Sequence, residues 1–306
     1  MTISAKNMIT SSPSNLHCWT TSIQIRAVAS VAALFFAGAI MAADESLVAK
    51  GEYLLNAGGC ITCHTKDEED AIPLAGGRAL ESPFGTFYSP NITPDVDTGI
   101  GGWSDDDFTT ALWEGLNPQG EHYFPAFPFT AYTGISRDDA LAIKAYLFSI
   151  EAFSKTNLEH DLPFYMSTRL AAGAWKLRYF DAGRFTPDTE QSDQWNRGAY
   201  LVRHFGHCGE CHTPRGRLGV LLEDEELAGN PEFGDDETVP NITPDKKHGI
   251  GRWSLSDIEY FLDIGMLPDG DFTGGAMGAV IEDNTSRLTR EDRLAIATYI
   301  KSLPAK

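Results

Sequence analysis

Basic residues are scarce in this sequence. Of 306 residues only 24 are Lys or Arg, against 43 Asp or Glu, and the formal net charge is −19. That deficit excludes a nucleic-acid-binding surface, which needs clustered cations to neutralise phosphate, and it opposes adsorption to anionic lipid. Long apolar runs are as rare. The one strongly apolar stretch, Ala27–Ile40, falls short of the about 20 residues a membrane-spanning helix needs. Runs alternating apolar with polar residues, the mark of strands, are missing. Cysteine is sparse, at five, an odd number that fits poorly with a disulfide framework. What is present suffices for a folded protein: 42% apolar residues exclude wholesale disorder, and the length suggests about two domains.

The first 43 residues read as a targeting segment. They carry Lys6 and Arg26 and no acidic residue, then the apolar run, then Met41-Ala42-Ala43 before Asp44. A positive start, a short apolar centre and small residues at the end make a secretory signal. Cleavage near Ala42 or Ala43 is expected, an uncleaved anchor being the alternative, and Met8 is a second candidate start. The protein is therefore expected to be exported to a bacterial periplasm, touching the membrane only through partners or an uncleaved signal. Removal of 1–43 discards Cys18 and makes the net charge more negative by two.

The four remaining cysteines fall in two identical patterns, Cys60-Ile-Thr-Cys63-His64 and Cys208-Gly-Glu-Cys211-His212. Cys-x-x-Cys-His is the attachment signature of c-type haem. Two thiols bond one porphyrin edge, and the next residue's imidazole reaches the iron. Structural zinc wants its cysteine pairs about 15–20 residues apart, far closer than these. A redox dithiol or a pair of disulfides has no need of the following His. Two covalently bound haem c groups are the expected cofactors, with His64 and His212 as iron ligands.

The repetition extends beyond the motifs. Lys50-Gly-Glu-Tyr53-Leu54 matches Arg197-Gly-Ala-Tyr200-Leu201. Pro90-Asn-Ile-Thr-Pro-Asp95 recurs at Pro240–Asp245, and Gly99-Ile-Gly-Gly-Trp103-Ser104 as Gly249-Ile-Gly-Arg-Trp253-Ser254. Asn91, Asn241 and Asn284 fit a glycosylation sequon, but repetition inside a Gly/Pro-rich loop favours structural turns for the first two. Ser104-Asp-Asp-Asp107 and Ser254-Leu-Ser-Asp257 predict capping boxes for helices ending at Gly115 and Gly265. Ser136–Asp139 and Thr289–Asp292 open a second pair, with Ala140, Ile143, Leu147 and Ile150, and Ile296, Ile300 and Leu303, at helical spacing.

The expected fold is all-α: two tandem cytochrome c domains, 44–158 and 196–306, joined by an inter-domain strap, 159–195. The strap contains Leu162, Phe164, Tyr165, Leu170, Trp175, Leu177, Tyr179 and Phe180, too aromatic for a solvated linker, and is expected to pack.

On both Pro-Asn-Ile-Thr-Pro-Asp stretches, both Gly-Ile-Gly-x-Trp-Ser stretches, the strap and His207–Arg215, the chain resembles the c-type cytochrome subunits of membrane-associated bacterial alcohol, aldehyde and gluconate dehydrogenases. The resemblance covers nearly all of the chain after the signal and implies electron transfer from a flavin or quinone-cofactor subunit. Those subunits typically carry three haems and a C-terminal membrane segment, whereas this chain ends at Lys306 after two motifs. The family pattern and ligand chemistry together point to Met277, in Gly274-Gly-Ala-Met277-Gly, as sixth ligand of the second haem. Met266, just past the helix-ending Gly265, reads as packing. The equivalent of Met277 in the first half is Phe127, in Tyr123-Phe-Pro-Ala-Phe127-Pro, where the family has Met; phenylalanine cannot ligate iron. His122, His160 and Met166 are the substitutes considered beside an open or water-bound iron. Loss of Met is expected to lower the first haem's potential below the second's.

Two functions follow. The favoured one is electron transfer, not catalysis, from a partner dehydrogenase to a downstream respiratory acceptor. The alternative is a peroxidase-like or small-gas-binding haem protein using an open first site, for which no positioned acid/base is evident except His122. A cysteine-ligated thiosulfate-oxidising enzyme is excluded, because every cysteine after the signal is committed. His204, His207 and His248 read as packing or surface residues. The acidic runs 67–70, 105–107, 223–226 and 235–237 read as solvated surface, with a docking role that salt would screen.

Overall fold

The computed structural model describes residues 44–164, 166, 168–231 and 238–306. The signal segment with Lys6, Cys18 and Arg26, the strap's Tyr165, and the acidic run 235–237 lie outside the described residues. Residues 47–306 form one compact unit, and one hydrophobic cluster runs through it from Leu54 and Leu55 to Tyr299 and Ile300.

The architecture is mainly helical. Helix α1 (44–57) leads into the short α2 (Cys60–His64). A hairpin of β1 (Ala79–Ser82) and β2 (Gly85–Tyr88) follows, then α3 (Asp105–Glu114), α4 (Phe129–Tyr132) and α5 (Arg137–Ser149). Next come α6 (Arg169–Tyr179), α7 (Asp193–Tyr200), α8 (Gly209–His212), α9 (Leu255–Ile264), α10 (Gly275–Asp283) and α11 (Arg290–Ser302).

Local chemistry accounts for the helix ends. Ser104 and Ser254 each accept from the backbone N–H three residues on, and Asp107 and Asp257 return the bond to the cap residue, so both capping boxes form. Gly115 and Gly265 close α3 and α9 in the left-handed conformation that glycine adopts at least cost. Ser136 and Thr289 cap α5 and α11. Their third-position carboxylates, Asp139 and Asp292, also bond residues of other helices.

The repeated Gly-x-Tyr of the first and second halves explains how these helices meet. A Cβ on Gly51 would lie 1.9 Å from the Ala142 carbonyl oxygen, and one on Gly198 2.0 Å from that of Ala295. The absent side chains let α1 cross α5, and α7 cross α11, at backbone contact. Lys50 then pairs with Asp139 at 2.6 Å and Arg197 with Asp292 at 2.6 Å. The tyrosines reach across the halves: Tyr53 Oη donates to Asp292 at 2.5 Å, and Tyr200 Oη to Asp139 at 2.7 Å.

Two features differ from the sequence reading. The β1–β2 hairpin, pairing Ala79 with Tyr88 through Ser82 with Gly85, is too short to show as alternation; Gly85 at φ 117 makes its turn. The segment 159–195 is anchored by only some of the aromatic and leucine residues expected: Phe180 meets Phe129 edge-on at 5.0 Å, Trp175 Nε1–H donates to Leu218 O at 2.9 Å, and Leu162 packs beside Phe87 and Phe124. Asp161 adds to the hairpin edge by two bonds to Thr86, and α6 buries Ala172 and Lys176. The Lys176 ammonium caps the α3 carbonyl of Glu114 and lies over the Phe129 ring. Phe164, Leu170 and Leu177 face outward at 88%, 81% and 92% exposure. The cause is the close approach of Gly173 to the His122 ring, which seats α6 on its small residues.

Two outcomes are expected. Gly51→Ala and Gly198→Ala each cost about 1–3 kcal/mol by overpacking, whereas Gly102→Ala, with open space around it, stays near wild type in denaturant midpoint. The carboxyls of Asp139 and Asp292 are lowered: burial pushes them up, and bonds from Lys50 and Tyr200, or Arg197 and Tyr53, outweigh it. Depressed folded-state values contribute stability above the unfolded value near pH ~4, lost as pH falls through the folded value. Acid unfolding curves of Asp292→Asn should therefore slope less steeply below about pH 4 than wild type; an identical slope would contradict this.

Candidate haem sites

Each motif sits on one short turn of helix. The chain enters α2 through Gly58 and Gly59, the latter at φ 65. A single turn places Cys60 and Cys63 on one face, with His64 beside them. The second motif repeats this, Cys208 standing at the start of α8 and His212 at its end. None of the four cysteines is in a disulfide. Burial pushes the Cys60 and Cys208 thiols up to about 12 and raises Cys63. A thiol–disulfide exchange motif has the opposite shift. Among the described residues no group of three or more His, Cys, Asp and Glu converges to hold a metal ion.

The histidines are oriented identically. His64 Nδ1–H donates to the Pro90 carbonyl at 2.7 Å, and His212 Nδ1–H to the Pro240 carbonyl at 2.8 Å. A carbonyl only accepts, so the proton is on Nδ1 and the Nε2 lone pair is left for a metal. Burial lowers the pKa of both rings, against the raising effect of the proline carbonyls, and favours the neutral ligating form.

The repeated Pro-Asn-Ile-Thr-Pro-Asp stretch thus supplies the acceptor, and its remaining residues hold it in place. Asn91 Oδ1 accepts from the Thr93 backbone at 2.9 Å, while its amide donates to Phe153 O at 2.7 Å. Asn241 makes the matching bonds to Thr243 and Lys306 O. From the other side, Gly76 N–H donates to His64 O at 2.7 Å and Gly229 N–H to His212 O at 2.8 Å. A Cβ on Gly76 would lie 2.4 Å from the Pro90 carbonyl carbon, so only glycine fits at φ 69.

Two residues that the sequence reading missed complete each loop. Leu74 and Leu227 hold left-handed backbones, φ 64 and 61, a conformation costly for a branched side chain. Both are fully buried, and their N–H groups donate to Thr65 Oγ1 and Thr213 Oγ1, the residues following the motif histidines. The signal was the repeated Leu-Ala-Gly at 74–76 and 227–229, out of register with the neighbouring repeats.

The expected sixth-ligand residues are dispersed. Met277 is partly buried on α10, packed against the core. Met266 pairs with Phe272 across a tight turn, as Leu116 pairs with His122, in keeping with packing. Phe127 lies edge-on against Tyr123 and Tyr132, at 5.6 Å from each. The His122 ring rests on Gly173, its Nδ1 buried without a partner. His160 Nδ1 accepts from Tyr88 N–H at 3.1 Å, which puts the proton of the neutral ring on Nε2 and removes the lone pair a metal would need. Met166 lies in the turn before α6. Asn91 is 2% exposed, structural as its loop suggested.

Repeated thiol pairs, each with a neutral imidazole aimed by a backbone carbonyl, define a haem-binding protein of the c type. Known proteins agree. The chain is 42% identical over 264 residues to a "Diheme cytochrome c-type" protein of Cereibacter sphaeroides, covering 84% of this chain and 86% of that one. It is 38% identical to a gluconate 2-dehydrogenase cytochrome c subunit of Pantoea cypripedii and 36% identical to a fructose dehydrogenase cytochrome subunit of Gluconobacter japonicus, each over 86% of this chain. It spans 61% and 54% of those two subunits. No family model matches the chain. The chain belongs to the family of c-type cytochromes that these relatives represent.

Gly76→Ala is expected to displace Pro90 and weaken the His64 bond, making that imidazole a poorer donor to iron. In a potentiometric titration one midpoint should rise and the other stay fixed. Two unmoved midpoints would count against the assigned role of Pro90.

Proposed function

We propose that this chain is an exported dihaem cytochrome c relaying electrons from a partner dehydrogenase to a downstream respiratory acceptor. The observation that carries the reading is the duplicated triad, Cys60, Cys63 and His64, and Cys208, Cys211 and His212, each with its imidazole tautomer set by a proline carbonyl. When bound, each haem supplies a one-electron iron couple. The thiols tether the group covalently, His64 and His212 offer Nε2, and Met277 offers its thioether at the second site. The relatives' names support a dehydrogenase donor. Among the described residues no helix is long and apolar enough to cross a membrane, and the periplasmic placement rests on the signal segment.

In this reading 44–158 and 196–306 are two cytochrome c domains sharing one core, with 159–195 laid against them. The first site lacks a thioether at Phe127, and the tautomer of His160 leaves it unfit as a substitute. The first site therefore has the lower potential. The peroxidase-like alternative needs an acid/base at the open position. His122 is the sole candidate named for that role, and its ring rests against Gly173 of α6.

The test is a redox titration followed by optical and electron paramagnetic resonance spectra, with Met277→Ala as comparison. Two one-electron waves are expected, and the variant should lower the upper one only, each ~59 mV being tenfold in the equilibrium. High-spin signal from one haem of two supports the open first site; two low-spin haems point to His122 or Met166. A variant with both waves unmoved removes Met277 from the assignment. Rapid peroxide turnover would favour the alternative.

A further inference from the structure

The segment before the second motif is one residue longer than before the first: Tyr53 precedes Cys60 by seven positions, Tyr200 precedes Cys208 by eight. The extra residue is absorbed as a π-helical turn, Leu201–Phe205, closed by Gly206 N–H donating to Leu201 O at 2.7 Å. Such single-residue insertions recur at functional sites. Its consequence is to deliver two histidines into the first half of the chain. His204 Nδ1 donates to Ala131 O at 2.8 Å. His207, directly before Cys208, is held at φ 35, and its ring meets Tyr132 edge-on at 5.6 Å.

Tyr132 is buried at the junction of the two motifs. Its Oη donates to Gly58 O at 2.8 Å, two residues before Cys60, so the ring that meets His207 is tied to the first motif. Its other edge carries Phe127. Around this point the halves grip one another. Thr62, inside the first motif, donates to Asn284 at 3.1 Å, at the end of α10, which carries Met277. Thr130, beginning α4 beyond Phe127, donates to Glu210 inside the second motif at 3.0 Å.

We infer that His207 and Tyr132 are positioning residues that lock the two attachment segments into one fixed geometry, and so set the electronic coupling between the two haem groups. The inference rests on the reading that both motifs carry haem. A non-glycine residue at φ 35 costs of order 1–3 kcal/mol and persists only where surrounding structure demands it. Here the demand is the edge contact with Tyr132, which is bonded to Gly58. The first motif is entered at the matching position by Gly59, at φ 65, where glycine meets little cost; the second motif carries a ring there in spite of the cost.

The experiment uses the full-length holoprotein and reads haem count by alkaline pyridine spectrum, Soret circular dichroism, and the rate of electron equilibration between the haems after photoreduction. Two coupled haems give a bisignate Soret band that reports their mutual orientation. His207→Gly keeps the left-handed backbone and loses the ring on Tyr132; Tyr132→Phe keeps both rings and loses only the hydroxyl. Both should retain two haems, lose or reshape the bisignate band and equilibrate more slowly. His207→Phe, which keeps an aromatic edge on Tyr132, should stay near the wild-type band and rate. If His207→Gly fails to fold, Tyr132→Phe alone decides. Variants with two haems, an unchanged band and an unchanged rate would overturn this inference alone. A wild-type protein with fewer than two haems would overturn it together with the reading beneath it.

Discussion

The structure depends on holding an imidazole still. A histidine can turn about two bonds and exchange its proton between two nitrogens, and a metal ligand must do neither. For the proposed ligands a backbone carbonyl solves both problems, at Pro90 for His64 and at Pro240 for His212. The loop residues around Pro90 brace that carbonyl. Gly76 lets the backbone come within contact of Pro90, Asn91 and Thr93 brace the turn, and Leu74 bends through an unfavourable conformation to let Ile92 pair with it. A strained leucine costs about 1–2 kcal/mol, comparable to one net hydrogen bond. The cost recurs in both halves, which marks it as part of the design of the loop.

The second theme is mutual dependence. Asp139 and Asp292 are half-buried carboxylates, and each is satisfied by a cation of its own half and a tyrosine of the other. Removing either tyrosine leaves a partly desolvated charge short of a partner, which costs more than the bond itself contributes. A single hydrophobic cluster extends through both halves. The proposed relay of an electron between two sites would require that they keep their distance, and a shared core enforces it better than a linker.

Much of this was legible in the sequence. The Cys-x-x-Cys-His motifs, both capping boxes and the closing glycines follow from local rules, where residue type and spacing decide the outcome. The reason for the repeated Gly-x-Tyr was not legible, because Gly51 and Gly198 answer to Ala142 and Ala295, far away in sequence. Leu74 and Leu227 escaped notice because leucine gives no hint of a left-handed backbone. The α6 segment misled for a physical reason: its apolar residues suggested burial, yet the buried face is made of Ala172 and the Lys176 stem. The π turn before Cys208 was visible only as a one-residue change of register between repeats.

The central claim is that both triads hold haem covalently. The most direct measurement is the intact mass of the denatured, reduced protein purified from an exporting host. The account predicts a mass greater than the polypeptide's by two haem groups, with Cys63→Ala and Cys211→Ala each weakening retention at one site. A mass equal to the bare polypeptide would contradict it.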